Sequence, residues 1–322
     1  MDQKTDVVVV AFCDELRLLK LQARSFAKYA SGESIGNIYI ILHDNKVQEF
    51  TRYFKKHILP EYGHLRGKIR LTPYTSVLGH RLDTPNWWTQ QSIKILASSL
   101  VETAHYLILD CKNHLIRPLE RSKLYTADNK MLMPLGHYHK DFDDKLQNAF
   151  KYFGGEGTPV LDKALPTITP FLIKKNIAQN IINHIETKEK KPFHEVFIEQ
   201  KFTEFFLYFG YLLARYGSID AFYAESGLIV LAYFDDCLHD TDKVDSFDTY
   251  INMETVYSLG VHRKIVDQAD SRLKGRIAHH WKTYGLVSNE EEADYFSSMY
   301  SSAENPNRLG FLSSIKEFIA RV

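Results

Sequence analysis

Tyr106-Leu-Ile-Leu-Asp-Cys-Lys-Asn113 is the stretch on which the fold of this chain turns. Its apolar run has the length and branching of a buried strand, and Asp110 marks where the run ends. In open α/β sheets ligands gather at the carboxyl ends of the strands, so a carboxylate at that place is set to meet one. If the backbone stays extended, Lys112 projects from the same face two residues on. An acid suited to a ribose hydroxyl and a cation suited to a diphosphate then stand side by side. The alternatives are that both are solvated loop residues, or that they pair with one another.

The segments before this run alternate strand and helix. Val7 to Cys13 is continuously β-branched, and Glu15 to Tyr29 carries Leu16, Leu19, Ala23, Phe26 and Ala27 at helical spacing. A second strand is expected over Asn37 to His43, a second helix over Lys46 to His57, and a weaker strand over Lys68 to Pro73. Asp83-Thr84-Pro85-Asn86 starts a helix from about Trp87 to Val101, and His105 to Leu109 follows as a strand. Such alternation implies parallel pairing and a Rossmann-like first half. Beyond Asp110 the spacing predicts a strand at Lys130 to Leu135 and helices at Phe142 to Phe153, Phe171 to Glu186 and Thr203 to Tyr216. A last strand is expected at Ile229 to Phe234, with helices at Asn289 to Tyr300 and Arg308 to Arg321. The expected organisation is one α/β domain over residues 1–267 and a helical extension, 268–322, packed on it.

Composition narrows the classes. Lys+Arg and Asp+Glu both total 40, so no global field draws the chain to nucleic acid or an anionic membrane. Cys13, Cys111 and Cys237 are far apart and lack metal-ligand spacing, which fits a reducing cytoplasm. The opening residues turn acidic too soon for a signal peptide, and no apolar run approaches the roughly 20 residues of a membrane span. A cytoplasmic protein, at most peripheral to a membrane, is expected. P-loop, glycine-rich dinucleotide and Gly-x-Ser-x-Gly signatures are all lacking. His137, His139 and His279-His280 match no zinc spacing.

Several residues carry chemistry or a plainer role. Trp87, Gln91, Lys94 and Ser98 form a narrow stripe opposite Ile93, Leu96, Ala97 and Leu100. Such a stripe faces either water or a polar ligand. Asp14 and Asp44 follow the first and second strands, as ligand-facing carboxylates or as helix caps. Phe12 either stacks on a base or joins the core. Glu204 starts an apolar helix, where burial would raise its pKa towards base catalysis and where the helix dipole alone also favours it. His262-Arg263-Lys264 is either solvated or a phosphate clamp.

Together, Val7-Val-Val-Val-Ala-Phe-Cys-Asp14, Trp87-Trp-Thr-Gln-Gln-Ser-Ile-Lys94, the 106–113 stretch, Thr203-Glu-Phe-Phe-Leu-Tyr208 and Val261-His-Arg-Lys264 resemble a bacterial family. It is a poorly characterised GT-A-like glycosyltransferase group associated with polysaccharide biosynthesis. The resemblance spans residues 5–265, and Trp-x-x-Gln-Gln-x-x-Lys followed by a strand ending in Leu-Asp is its most specific part. It implies a mixed sheet flanked by helices that binds a nucleotide-sugar donor and a glycan or lipid-linked acceptor. Asp110 then holds the first acidic place of an Asp-x-Asp motif, Gln91 and Lys94 face the donor, Glu204 sits where an acceptor-activating carboxylate is expected, and His262 approaches the diphosphate. Phe12, Asp14, Asp44, Trp87, Asn113 and Arg263 complete the expected donor side.

Lys112 departs from the motif. A divalent cation such as manganese or magnesium needs oxygen ligands, and an ammonium offers none while repelling the ion. A lysine neutralises phosphate charge directly instead, so a metal-free transferase is expected. Asp110, Asn113 and His262 are the residues that would hold a metal if one is used. Two other readings remain: a degenerate nucleotide- or glycan-binding scaffold, and a Rossmann-like enzyme using another nucleotide.

Overall fold

The computed structural model describes residues 4–136, 143–159 and 163–297. Its strands, in chain order, are β1 (Thr5–Ala11), β2 (Ile35–Leu42), β3 (Ile69–Pro73), β4 (His105–Leu109) and β5 (Asn113–Leu115), then β6 (Met131–Met133), β7 (Phe171–Lys174), β8 (Tyr223–Glu225), β9 (Val230–Tyr233) and β10 (Ser258–Val261). The helices are α1 (Leu16–Tyr29), α2 (Val47–Tyr53), α3 (Thr75–Leu78), α4 (Trp87–Leu96), α5 (Asp143–Tyr152) and α6 (Lys175–Glu189), then α7 (Phe193–Glu199), α8 (Glu204–Tyr216), α9 (Thr241–Tyr250), α10 (Arg263–Gln268), α11 (Ser271–Thr283) and α12 (Glu290–Ser297).

The central sheet runs β3-β2-β1-β4-β7. Its first four strands are parallel, as the strand–helix alternation predicts, and β7 closes the edge antiparallel to β4. Every residue of β1 and β4 is buried, the pattern of strands covered on both faces. The expected α/β architecture, a mixed sheet flanked by helices, is therefore the one found. A smaller sheet, β5-β10-β9, and a parallel pair, β6-β8, take one strand each from the segment between β4 and β7 and the rest from beyond β7.

The predicted helix over Phe171 to Glu186 is in fact β7 followed by α6. Ile177, Ile181 and Ile185 do line the buried face of α6, but Ile173 belongs to the strand and pairs with Tyr106. A short apolar run such as Phe171-Leu-Ile looks alike in both states, and only pairing with β4 separates them. The Trp87 to Val101 helix stops at Leu96 and tightens into a 3₁₀ turn at Ala97–Ser99. The predicted Arg308 to Arg321 helix, His137 and His139 lie outside the described residues.

Two local devices fix where side chains point. Asn86 caps α4: its side chain accepts from the Thr89 N–H at 3.1 Å, and Thr89 Oγ1 accepts from the Asn86 N–H at 3.1 Å. At the other end of the sheet, fully buried Asp6 accepts from the main-chain N–H groups of Asn37 and Glu102, each at 2.6 Å, and of Thr103 at 3.0 Å. The backbones of α8 and α5 approach closely at Gly210, where an added Cβ would meet Ala149 Cβ at 2.7 Å and the Phe150 nitrogen at 2.8 Å.

Candidate functional site

A cleft of about 580 Å³ opens at the carboxyl ends of β1, β2 and β4. The end of β1 supplies Phe12 and Asp14, the end of β2 Asp44, the start of α4 Trp87, Gln91 and Lys94, the turn after β4 Asp110 and Lys112, and the residues after β10 His262 and Arg263. Ten of the twelve residues singled out from sequence thus line one cavity. Asn113 and Glu204 stand behind its wall.

The chain does not stay extended past Asp110. It turns back at once, with the Asn113 N–H donating to the Asp110 carbonyl at 3.0 Å. Asn113 is buried and builds this turn: its Oδ1 accepts from the Asp110 N–H at 2.9 Å and from the Thr169 hydroxyl at 2.7 Å. It is thereby spent on structure, and offers a donor or a metal no free oxygen. Lys112 nonetheless reaches Asp110, because the turn folds its side chain back onto the carboxylate.

Asp110 is held from two sides. Oδ1 lies 2.8 Å from Lys94 Nζ, while Oδ2 takes the Lys112 ammonium and accepts from the Thr169 hydroxyl at 3.0 Å. Burial alone would raise the Asp110 carboxyl, but the two ammonium groups outweigh it and hold the acid well below the usual carboxylate range. Asp110 is therefore an ionised acceptor at neutral pH.

The polar stripe of α4 faces inward. Gln91, Lys94 and Ser98 are all buried, and only Trp87, half exposed, reaches the cleft mouth. Lys94 lies 3.0 Å from Glu204 Oε1 as well as touching Asp110, and the Gln91 amide, with its nitrogen turned towards α8, faces the Glu204 carboxylate as a donor. Glu204 is only 2% exposed. Burial raises its pKa against the opposing pull of Lys94, as its place on an apolar helix predicts, but the carboxylate is sealed from the cleft.

The cations that follow β10 are matched by acids. Arg263 pairs with Asp14 at 2.9 Å, Lys264 with Asp235 at 2.6 Å, and His262 Nδ1 lies 3.3 Å from Asp235. Burial, with Lys112 next in weight, lowers the His262 pKa. Asp44 accepts from the Lys46 N–H at 2.8 Å just before α2, a local turn that combines the capping and cleft-lining readings. Phe12 lines the cleft while packing edge-on against His43, with ring centroids 4.7 Å apart.

Sequence reasoning passed over Glu15, Asn45 and Asp83, which also line the cleft. Burial and the nearby Asp110 charge raise the Glu15 carboxyl, and it contacts the Cys111 thiol. The available signal was its position one residue beyond Asp14, which read instead as a helix start.

A divalent cation fits this residue set poorly. Both Asp110 oxygens already face ammonium groups, and among the described residues no cluster of three or more His, Cys, Asp or Glu side chains could hold a metal. His280 is buried, with its pKa pushed down to about 4 by that burial, and lies 3.4 Å from Asp248. No helix among the described residues is long and apolar enough to cross a membrane.

The chain belongs to a family of unknown function (DUF6492), matched over residues 10–257. No curated protein matches it. Among solved structures it is similar to the galactosyltransferase LgtC in complex with donor and acceptor sugar analogs, at 11% identity and a TM-score of 0.47, over 91% of this chain and 100% of that one. It is also similar to the glycosyltransferase GlyE of Streptococcus pneumoniae TIGR4, at 13% identity and a TM-score of 0.42, over 91% of this chain and 63% of that one.

Proposed function

We propose that this protein is a GT-A-like glycosyltransferase that moves a sugar from a nucleotide-sugar donor to a glycan or lipid-linked acceptor in bacterial polysaccharide biosynthesis. The observation that carries the reading is the cleft at the strand ends, where ionised Asp110 and the Lys112 ammonium lie together on one wall. Asp110 accepts from a donor ribose hydroxyl. Lys112 meets the diphosphate, whose charge grows as the bond from the sugar's anomeric carbon to the phosphate oxygen breaks. The acceptor hydroxyl oxygen forms the new bond to that carbon, and its proton passes to the departing diphosphate, whose oxygen has lost the bond to the sugar. Glu204 is assigned no contact with the acceptor, because it is closed off behind Lys94 and Gln91.

The chemistry of the Asp110 surroundings favours a metal-free site, with phosphate charge met by lysine rather than by manganese or magnesium. Calorimetric titration with nucleoside diphosphates and nucleotide sugars, in EDTA and then in manganese, tests both statements. Binding in EDTA is expected. Binding only with manganese would sink the metal-free assignment, and no binding of any nucleotide would sink the transferase reading.

One observation favours a second reading, a nucleotide- or glycan-binding scaffold without catalysis: the carboxylate expected to activate the acceptor is sealed away from the cleft. Nucleotide binding without donor hydrolysis or transfer would support it, and turnover of a bound donor would exclude it.

A further inference from the structure

Lys94 and Lys112 meet the same carboxylate, but they are held very differently. Lys94 rises from α4 with a side chain 3% exposed, and its ammonium is shared between Asp110 at 2.8 Å and Glu204 at 3.0 Å. The Phe205 ring covers it, with its centroid 5.6 Å from Nζ. Lys112 rises from the turn after β4, lines the open cleft and rests on the other Asp110 oxygen, with the Phe234 ring centroid 5.4 Å from Nζ.

An anion entering the cleft competes for both ammonium groups. If Lys94 turned towards it, Glu204 would be left as a buried carboxylate without a counter-ion, which is strongly disfavoured. If Lys112 turned, Asp110 would keep Lys94 on one oxygen and the Thr169 hydroxyl on the other. The two exchanges therefore differ in cost, and Glu204 sets the difference.

Building on the diphosphate reading above, we propose that Glu204 is a positioning residue: it locks Lys94 in place as the resident counter-ion of Asp110, and so reserves Lys112 as the cation that passes to the incoming diphosphate. The expected base of the acceptor thus becomes the anchor of a division of labour between two lysines. Gln91 belongs to the same anchor, since its amide donates to Glu204.

Lysine ammonium resonances in the full-length protein labelled with ¹⁵N-lysine test this without any turnover. Lys112→Arg removes one resonance and identifies it; Lys94 is identified as the ammonium, whatever its exchange rate, whose signal shifts in Glu204→Gln. Inorganic pyrophosphate is added first and uridine diphosphate second. The Lys112 resonance should move and saturate, while that of Lys94 stays in place and remains protected from water exchange. In Glu204→Gln, both resonances should move. Lys112→Met should weaken uridine diphosphate binding by roughly tenfold or more, as expected for a lost charge-assisted hydrogen bond.

The wild-type spectra decide the matter even if Glu204→Gln fails to fold, since Gln91→Leu then serves to identify Lys94 by removing its neighbour's donor. A Lys94 resonance that moves together with Lys112, or that exchanges as fast as a surface lysine, overturns the lock while leaving diphosphate binding intact. No response of either lysine to pyrophosphate or to uridine diphosphate overturns the diphosphate reading and the reserved role of Lys112 together.

Discussion

Lys94 and Glu204 form an ion pair at 3.0 Å in which neither side chain is more than 3% exposed. Removing one member leaves the other charged and buried, which costs about 3–5 kcal/mol in comparable pairs. Lys94→Met should therefore lose stability on that scale by urea unfolding, because it strands Glu204 and takes one of the two cations from Asp110. Glu204→Gln should lose less, since a neutral amide can still accept from Lys94. Equal losses in the two variants would contradict this account.

Stability should fall on mild acidification. Burial pushes His43, His105 and His280 down to about 4, and His114 down to about 3, from an ordinary value of 6.5. Below pH 6.5 the unfolded chain takes up protons that these folded imidazoles refuse, so stability present above 6.5 is lost as pH falls towards 4, by up to ~1.4 kcal/mol per pH unit for each histidine. Glu15 and Glu204 are raised and act in the opposite sense nearer their own range. The urea midpoint at pH 5 should lie well below that at pH 7.5, and His114→Gln should flatten the slope. A midpoint independent of pH over this interval would count against the buried neutral histidines.

Gly210 is where α8 and α5 come together. Gly210→Ala should gain helix propensity of about 1 kcal/mol, yet its methyl would press on the main chain of Ala149 and Phe150. Overpacking of this kind typically costs about 1–3 kcal/mol or more, so a net loss is expected in thermal unfolding. A variant more stable than the parent would show that the two helices can separate without penalty.

The thiols should be silent in the folded protein. Cys13, Cys111 and Cys237 are all buried and free, and burial raises each thiol pKa. A thiol-reactive chromogen should label almost none of them in buffer and all three in denaturant. Rapid labelling of the native protein would indicate that the cleft floor, where Cys13 and Cys111 lie beside Asp44 and Glu15, opens readily.

Much of this architecture was legible in the residues. Val7 to Val10 and Tyr106 to Leu109 announce strands buried on both faces, and the intervening helical patterns force parallel pairing. The grouping of Asp14, Asp44 and Asp110 also follows, because parallel strands bring their carboxyl ends to one edge. What stayed hidden was direction. The Trp87-Gln91-Lys94-Ser98 stripe reads as a wet face, yet most of it is buried, since its partners Asp110 and Glu204 lie 16 and 110 positions from Lys94 along the chain. Asn113 likewise reads as a ligand-facing amide until Thr169, from a distant segment, is seen to occupy it.

The carboxylates near the two ends of the β1–β4 pair differ in what satisfies them. Asp6 is tied by three main-chain N–H groups, one from β2 and two from the turn before β4, which cannot rotate away as side chains can. Asp110 is tied by ammonium and hydroxyl groups on side chains, which can rotate while the strands stay put. One end of the sheet is thus held by main chain and the other by side chains. Partners can be exchanged at the second end while the strands keep their places.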